Sequence, residues 1–128
     1  MYKLIVLLFI PVFCFSQISK NKYEILEYEI FKNDTQLKNI LLIDVRTSEE
    51  YKEGHIEGAI NIDFYQENVF NSYFKKIDNT KPVYIYCRSG NRSRKTSNKL
   101  IEMGFVKIYD LKDGYVSWIK NKKNKINL

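Results

Sequence analysis

Cys87-Arg88-Ser89-Gly90-Asn91-Arg92-Ser93 sets one thiol among two guanidinium groups, two hydroxyls and a glycine. Those residue types at that spacing could hold an anion against a sulfur nucleophile. The apolar run Pro82-Val83-Tyr84-Ile85-Tyr86 ends on the cysteine, and a helical pattern follows the loop, so the segment reads as strand, loop, helix. Such a turn aims successive backbone N–H groups, and the positive end of the helix dipole, at whatever sits in its concavity. The expectation is an exposed Cys87 whose thiolate form is favoured by the loop amides and by Arg88 and Arg92. A buried structural cysteine is the competing reading, since free cysteine is among the most buried residue types. The charged and polar company of Cys87 makes a poor core segment and a good anion cradle, which favours chemistry on sulfur.

The elements that must position this loop alternate between two periods. Asn39 precedes Ile40-Leu41-Leu42-Ile43-Asp44-Val45, a continuous apolar run of the kind found in a strand buried on both faces. Ser48 is placed to cap a short helix beginning at Glu49-Glu50. Residues 58–62 read as a further strand, and Val69, Phe70, Tyr73, Phe74 and Ile77 recur at helical spacing. Thr96, Leu100 and Met103 share one face of a helix that Gly104 ends. Phe105 to Tyr109 reads as the last strand, Asp113-Gly114 as a turn, and Val116 to Lys120 as the start of a closing helix with Trp118 facing the core. Upstream, Tyr23 to Ile25 reads as an edge strand and Tyr28 to Leu37 as a helix. Strands alternating with helices predict an α/β domain with a central parallel sheet flanked by helices on both faces. Ligands of such sheets bind at the carboxyl ends of the strands, where Cys87 lies.

The chain of 128 residues has room for one domain, and 45% hydrophobic with 15% aromatic residues supplies a core. Residues 1–16 carry the charged, apolar and small-residue regions of a secretory signal peptide: Lys3, then Leu4 to Phe13, then Cys14-Phe15-Ser16. The apolar run is too short to span a bilayer comfortably. Cleavage after Ser16 leaves a domain over residues 17–120 and a Lys/Asn-rich tail over residues 121–128, in a periplasmic or secreted protein. Lipidation at Cys14, beside the unsuitable Phe13, and retention as a membrane anchor are the lesser alternatives. Loss of Cys14 with the signal leaves Cys87 unpaired in an oxidising compartment, a liability unless it is used or buried.

The formal charge of +6 does not describe the body of the domain. Setting aside Lys3 and the lysines at 120, 122, 123 and 125 leaves +1 over residues 17–119, so no nucleic-acid partner is expected. The remaining basic group, Arg88, Arg92, Arg94, Lys95 and Lys99, lies on the loop and the helix behind it. No metal or other cofactor is expected, because one cysteine and the lone His55 do not make a ligand set.

Asp44-Val45-Arg46, Glu50-Tyr51, Gly54-His55-Ile56 with Gly58-Ala59, Cys87 to Ser93, Gly104-Phe105, and Gly114 with Trp118 follow one another in an order that resembles the rhodanese (sulfurtransferase) family, single-domain type. The resemblance covers roughly residues 22–120, and several spaced motifs in order are more specific than any one of them. It implies a rhodanese-like fold and a cysteine that cycles through a persulfide. Cys87 matches the sulfur-accepting cysteine, and Arg88, Ser89, Gly90, Asn91, Arg92 and Ser93 match the loop that binds the substrate. One departure is Gly114-Tyr115, which stands where the family usually has a Gly-Gly pair.

The function expected is transfer of sulfane sulfur from a small anionic donor such as thiosulfate to a thiol or cyanide acceptor, with an acceptor protein among the candidate partners. A carrier or binding module of the same fold, loading once without turnover, is the alternative. Cysteine phosphatases and arsenate reductases fit less well, because their longer cradle puts an arginine six positions after the cysteine, where this chain has Ser93. Asp44 and Arg46 are read as an ion pair with each other or with Glu50, and His55 as a hydrogen-bonded histidine fixing a turn rather than as a base.

Overall fold

A computed structural model describes residues 23–127; the signal-peptide reading of residues 1–16, with Cys14, lies outside them. Five strands, β1 (Glu24–Leu26), β2 (Leu41–Asp44), β3 (Ile60–Asn61), β4 (Val83–Tyr86) and β5 (Ile108–Leu111), form one sheet in the order β1-β5-β4-β2-β3, every pair parallel. Between and after them run α1 (Tyr28–Thr35), α2 (Ser48–Glu53), α3 (Glu67–Lys75), α4 (Asn91–Glu102) and α5 (Gly114–Ile126).

The central strand shows why both faces must be covered. All four residues of β4 are buried, and their side chains alternate between two cores. Val83 and Ile85 join Ile43, Phe70, Phe74 and Leu100 on the side of α3 and α4. Tyr84 and Tyr86 join Phe31, Leu42 and Leu111 on the other side, where Trp118 of α5 packs edge-on against Tyr28 and Phe31 of α1. The fold is thus a single α/β domain with a parallel sheet covered on both faces, as the alternation of apolar patterns predicts.

Several boundaries differ from the sequence reading. The strand expected over 58–62 pairs only at Ile60 and Asn61, and the last strand starts three residues later than Phe105, at Ile108. Phe105 is buried in the core but unpaired, because it follows directly on the turn at Gly104 (φ +91) that ends α4. The helix cap is Thr47, not Ser48: the Thr47 hydroxyl accepts from the Glu50 N–H, and the Glu50 carboxylate accepts from the Thr47 N–H, a reciprocal capping box. The closing helix runs well past Lys120 to Ile126, so most of the supposed tail is helix, and Lys125 reaches back to pair with Glu29 of α1.

Candidate active site

Parallel strands bring β2, β4 and β5 to a common C-terminal edge, and there the chain concentrates its buried polar groups: Asp44, Arg46, Cys87, Ser93 and Asp110. The strand β4 runs into Cys87, Gly90 takes a left-handed φ of +108 as the N-cap of α4, and Asn91 opens that helix. The backbone reversal at Gly90 turns its N–H onto the sulfur, at 3.1 Å from Sγ. From the first turn of α4 the Ser93 hydroxyl meets the sulfur as well: the thiol donates to Ser93 Oγ at 3.4 Å, and Ser93 Oγ donates to Gly90 O at 3.2 Å.

The thiol expected to be exposed is 1% exposed. Cys87 lies on the α3/α4 side of β4, in register with Val83 and Ile85, so its side chain enters the core's polar edge instead of pointing out of the loop. Its surroundings are therefore both apolar and hydrogen-bonding, a setting that restricts access to small reagents.

The arginines separate. Arg88 is exposed, at the rim of a cleft of about 410 Å³ shared with Arg46, Glu50, Glu53 and Tyr115. Arg92 does not stand free in the loop. Its guanidinium is clamped by both oxygens of Glu50, at 2.6 and 2.9 Å, and lies over the Tyr65 ring. Hydrogen bonding to Arg92 is the main reason the Glu50 carboxyl is held down to about 2. Glu50 thus caps α2 and orients an arginine of the loop at the same time. Its sequence pairing with Asp44 or Arg46 does not occur, because those two satisfy each other.

Arg46 and Asp44 form that buried pair, with Arg46 Nη2 donating to Asp44 Oδ2 at 2.6 Å and Nε donating to Oδ1 at 3.0 Å. Arg46 also donates to Gly54 O and stacks over Tyr115, at 4.2 Å from the ring centre. Tyr86 completes the group: its hydroxyl donates to Asp44 and accepts from the Ile56 N–H, and burial raises its pKa. Tyr86 is thus a polar tie between β4 and the turn after α2. His55 behaves as expected, its Nδ1–H donating to Tyr51 O at 2.8 Å while its ring stacks on Tyr51.

The loop is also held from its C-terminal side. Tyr115 N–H donates to Cys87 O at 2.8 Å and Val116 N–H to Arg88 O at 3.1 Å, so the first turn of α5 spends its free amides on the loop's carbonyls. At this turn both Asp113 (φ +57) and Gly114 (φ +62) are left-handed. A Cβ on Gly114 would lie 2.5 Å from Cys87 O.

One group has no counterpart in the sequence reading. Asp110 of β5 is buried beneath α4, its Oδ1 without a hydrogen-bond partner among the described residues, and burial lifts its carboxyl to about 7 while Ser93 and Arg94 pull it down. In the sequence it is one acid among apolar strand residues, and only the register of β5 sets it beside the loop.

A parallel α/β sheet with a cysteine at the end of its central strand, seated against the N-terminus of the next helix, defines a class of cysteine-loop proteins. This chain belongs to the rhodanese-like domain family, whose model matches residues 27–121. It is 33% identical over 81 residues to the thiosulfate sulfurtransferase GlpE of Coxiella burnetii, a match that covers 63% of this chain and 73% of that one. It is also 35% identical over 91 residues to the tRNA uridine(34) hydroxylase of Pelagibacter ubique, covering 71% of this chain but only 30% of that protein. Among solved structures, a Bacillus halodurans protein superposes with a TM-score of 0.67 at 27% identity, over 77% of this chain and 73% of that one. A rhodanese-related protein of Thermoplasma volcanium superposes with a TM-score of 0.66 at 25% identity, over 77% and 93%.

Proposed function

We propose that this rhodanese-like domain is a sulfurtransferase that carries sulfane sulfur on Cys87. The observation that carries the reading is the seat of the sulfur, where the Gly90 amide and the Ser93 hydroxyl converge on Sγ at the start of α4. Both are groups that can donate to a negative sulfur, and the helix dipole adds to them.

In the first half-reaction the Cys87 thiolate attacks the outer sulfur of a donor such as thiosulfate. A bond forms between Sγ and that sulfur, the donor's S–S bond breaks, and sulfite leaves with the electron pair. Arg88 at the rim, and the guanidinium edge of Arg92 that Glu50 leaves free, supply the positive charge for the departing anion. In the second half-reaction a thiolate or cyanide attacks the outer persulfide sulfur and the Cys87 thiolate is the leaving group, so the enzyme returns unchanged. Ser89, Gly90, Asn91 and Ser93 complete the loop around the transferred sulfur. Residues 1–16 serve as the export signal in this reading, on the strength of their charged, apolar and small-residue order.

The test is the intact mass of the purified protein with and without thiosulfate, beside Cys87→Ser. Gain of one sulfur atom by the unmodified protein alone supports the reading. No gain with any of several sulfane donors overturns it in favour of a binding module.

A further inference from the structure

Away from the cysteine loop, α1, α5 and the turn after α2 line a cavity of about 500 Å³. It lies on the other side of the sheet from the sulfur, since Ile56 and Trp118 of its wall pack with Tyr84 and Tyr86, whereas Cys87 packs with Val83 and Ile85. Its floor is apolar. Tyr28 and Ile56 are 6% and 4% exposed, and the Trp118 ring meets the Tyr28 ring edge-on, 5.0 Å between centres. One turn beyond each of these aromatic residues, on the same helix, stands a lysine: Lys32 after Tyr28 on α1, and Lys122 after Trp118 on α5. Helical side chains lean back toward the N-terminal turn, which carries each lysine toward the aromatic residue it follows. The Lys32 ammonium accordingly lies 5.8 Å from the centre of the Tyr28 ring.

The charge around the cavity is unbalanced. Lys32 and Lys122 form no ion pair among the described residues, although Lys112 and Lys125 both do. Glu57 is the one carboxylate in the lining, so two ammonium groups stand against a single negative charge. The third wall carries His55, whose Nδ1 meets the Tyr51 carbonyl at 2.8 Å. A carbonyl can only accept, so the proton is on Nδ1 and Nε2 is the ring nitrogen left for a ligand. Stacking on Tyr51 holds the imidazole in that orientation.

We propose that this cavity binds a small planar aromatic anion, an aryl phosphate, phosphonate or carboxylate, with its ring against Tyr28 and Trp118 and its charge between Lys32 and Lys122. The volume lies within the roughly 300–1,000 Å³ of small-molecule sites, which combine an apolar floor with a few polar groups that fix orientation. A third ring extends the Tyr28 and Trp118 pair through the same offset or edge-on contacts that hold the pair together. The two lysines supply the charge complement, and they do so from different helices, so an anion bridging them ties α1 to α5. The site is independent of the sulfur chemistry and gives the Lys/Asn-rich end of the chain a role: its helical continuation past Lys120 is what brings Lys122 to the rim.

The chain has one tryptophan and one histidine, and both line this cavity, so each is an unambiguous reporter of it. The protein is titrated at one neutral pH with phenylphosphonate, with methylphosphonate as the anion without a ring, and with benzamide as the ring without a charge. Trp118 fluorescence, excited where the probes do not absorb, and the His55 ring resonances in NMR spectra are followed together. Phenylphosphonate is expected to move both signals saturably with one midpoint, and each of the other two probes to need roughly tenfold more, the combined scale of an aromatic contact or of two exposed ion pairs. Lys32→Gln and Lys122→Gln should each weaken phenylphosphonate by about two- to fivefold, as for a solvent-exposed ion pair. Lys107→Gln, outside the cavity, should leave the midpoint unchanged. Both lysines are at the surface, so these variants are expected to fold, and an unchanged urea midpoint verifies it. Absence of any response to phenylphosphonate overturns the proposal, as does methylphosphonate binding equally well. Calorimetric binding that leaves Trp118 and His55 unmoved also overturns it, because the anion then sits elsewhere, as in the cysteine loop. Loss of thiosulfate loading in a protein that still gives the Trp118 and His55 responses removes the sulfurtransferase reading alone.

Discussion

Arg92 and Glu50 are 42 residues apart in the chain and meet through two hydrogen bonds, at 2.6 and 2.9 Å, that fix a loop arginine to the capping residue of another helix. The pair is the only link between the capping box of α2 and the start of α4 among the described ion pairs. It converts a flexible side chain into a fixed donor edge.

Removing the clamp should therefore separate binding from chemistry. Glu50→Ala is expected to raise the KM for an anionic donor several-fold with a smaller change in kcat, because Arg92 loses its orientation while the sulfur's own hydrogen bonds remain. Arg92→Lys, with Glu50 in place, should show a similar rise, since an ammonium cannot reproduce the two-pronged contact with Glu50. Steady-state kinetics with varied thiosulfate checks both, and an unchanged KM in Glu50→Ala removes the clamp from donor binding.

Gly114 is a stronger constraint on the loop than any side chain within it. A Cβ there meets Cys87 O at 2.5 Å and Arg88 O at 2.6 Å, and the backbone already has φ +62. Gly114→Ala is expected to destabilise the fold by about 1–3 kcal/mol, the range for a strained left-handed residue, and to disturb the Tyr115-to-Cys87 hydrogen bond. Urea unfolding gives the first number. Sulfur uptake under folding conditions, reduced out of proportion to the fraction unfolded, reports the second.

Asp44 and Arg46 are both essentially inaccessible, and each uses the other as its main partner. Asp44→Asn leaves the Arg46 charge buried without compensation and should cost about 3–5 kcal/mol, as when one member of a buried pair is removed. Arg46→Met with Asp44→Leu should recover much of that loss. Chemical denaturation of the single and double variants decides; a single variant within about 1 kcal/mol of the parent contradicts the buried-pair assignment.

Two carboxyls give the stability opposite dependences on pH. Glu50 is held at about 2 against an ordinary 4.5, so its contribution is present above about 4.5 and disappears as pH falls toward 2. Asp110 is held up at about 7 against an ordinary 3.8, so the native state binds the extra proton, and stability declines as pH rises through that interval. The full cost of ionising Asp110 in place is at most roughly 4 kcal/mol. Asp110→Asn should flatten the decline toward neutral pH and leave the acid limb alone, which a series of urea midpoints over pH reads directly.

Much of the architecture is legible in the residues alone. The alternation of apolar strand runs with helical spacing favours a parallel sheet covered on both faces, which buries Leu42 to Val45 and Val83 to Tyr86 together. The strand, loop and helix that carry Cys87 are legible too, since an apolar run ends on the cysteine, a glycine follows, and helical spacing resumes after it. What the chain could not announce is contact across sequence distance. The partner of Arg92 is Glu50, 42 residues away, and Asp110 lies beside the loop only because β5 pairs with β4 in register. The orientation of Cys87 into the protein was likewise decided by strand phase: every second residue of β4 faces α4, and the thiol is one of them. Local propensity and periodicity are properties of neighbours in the chain, so they determine the elements and the loop. Pairing, burial and the titration of buried groups are properties of neighbours in space, and these existed only once the five strands had taken their order.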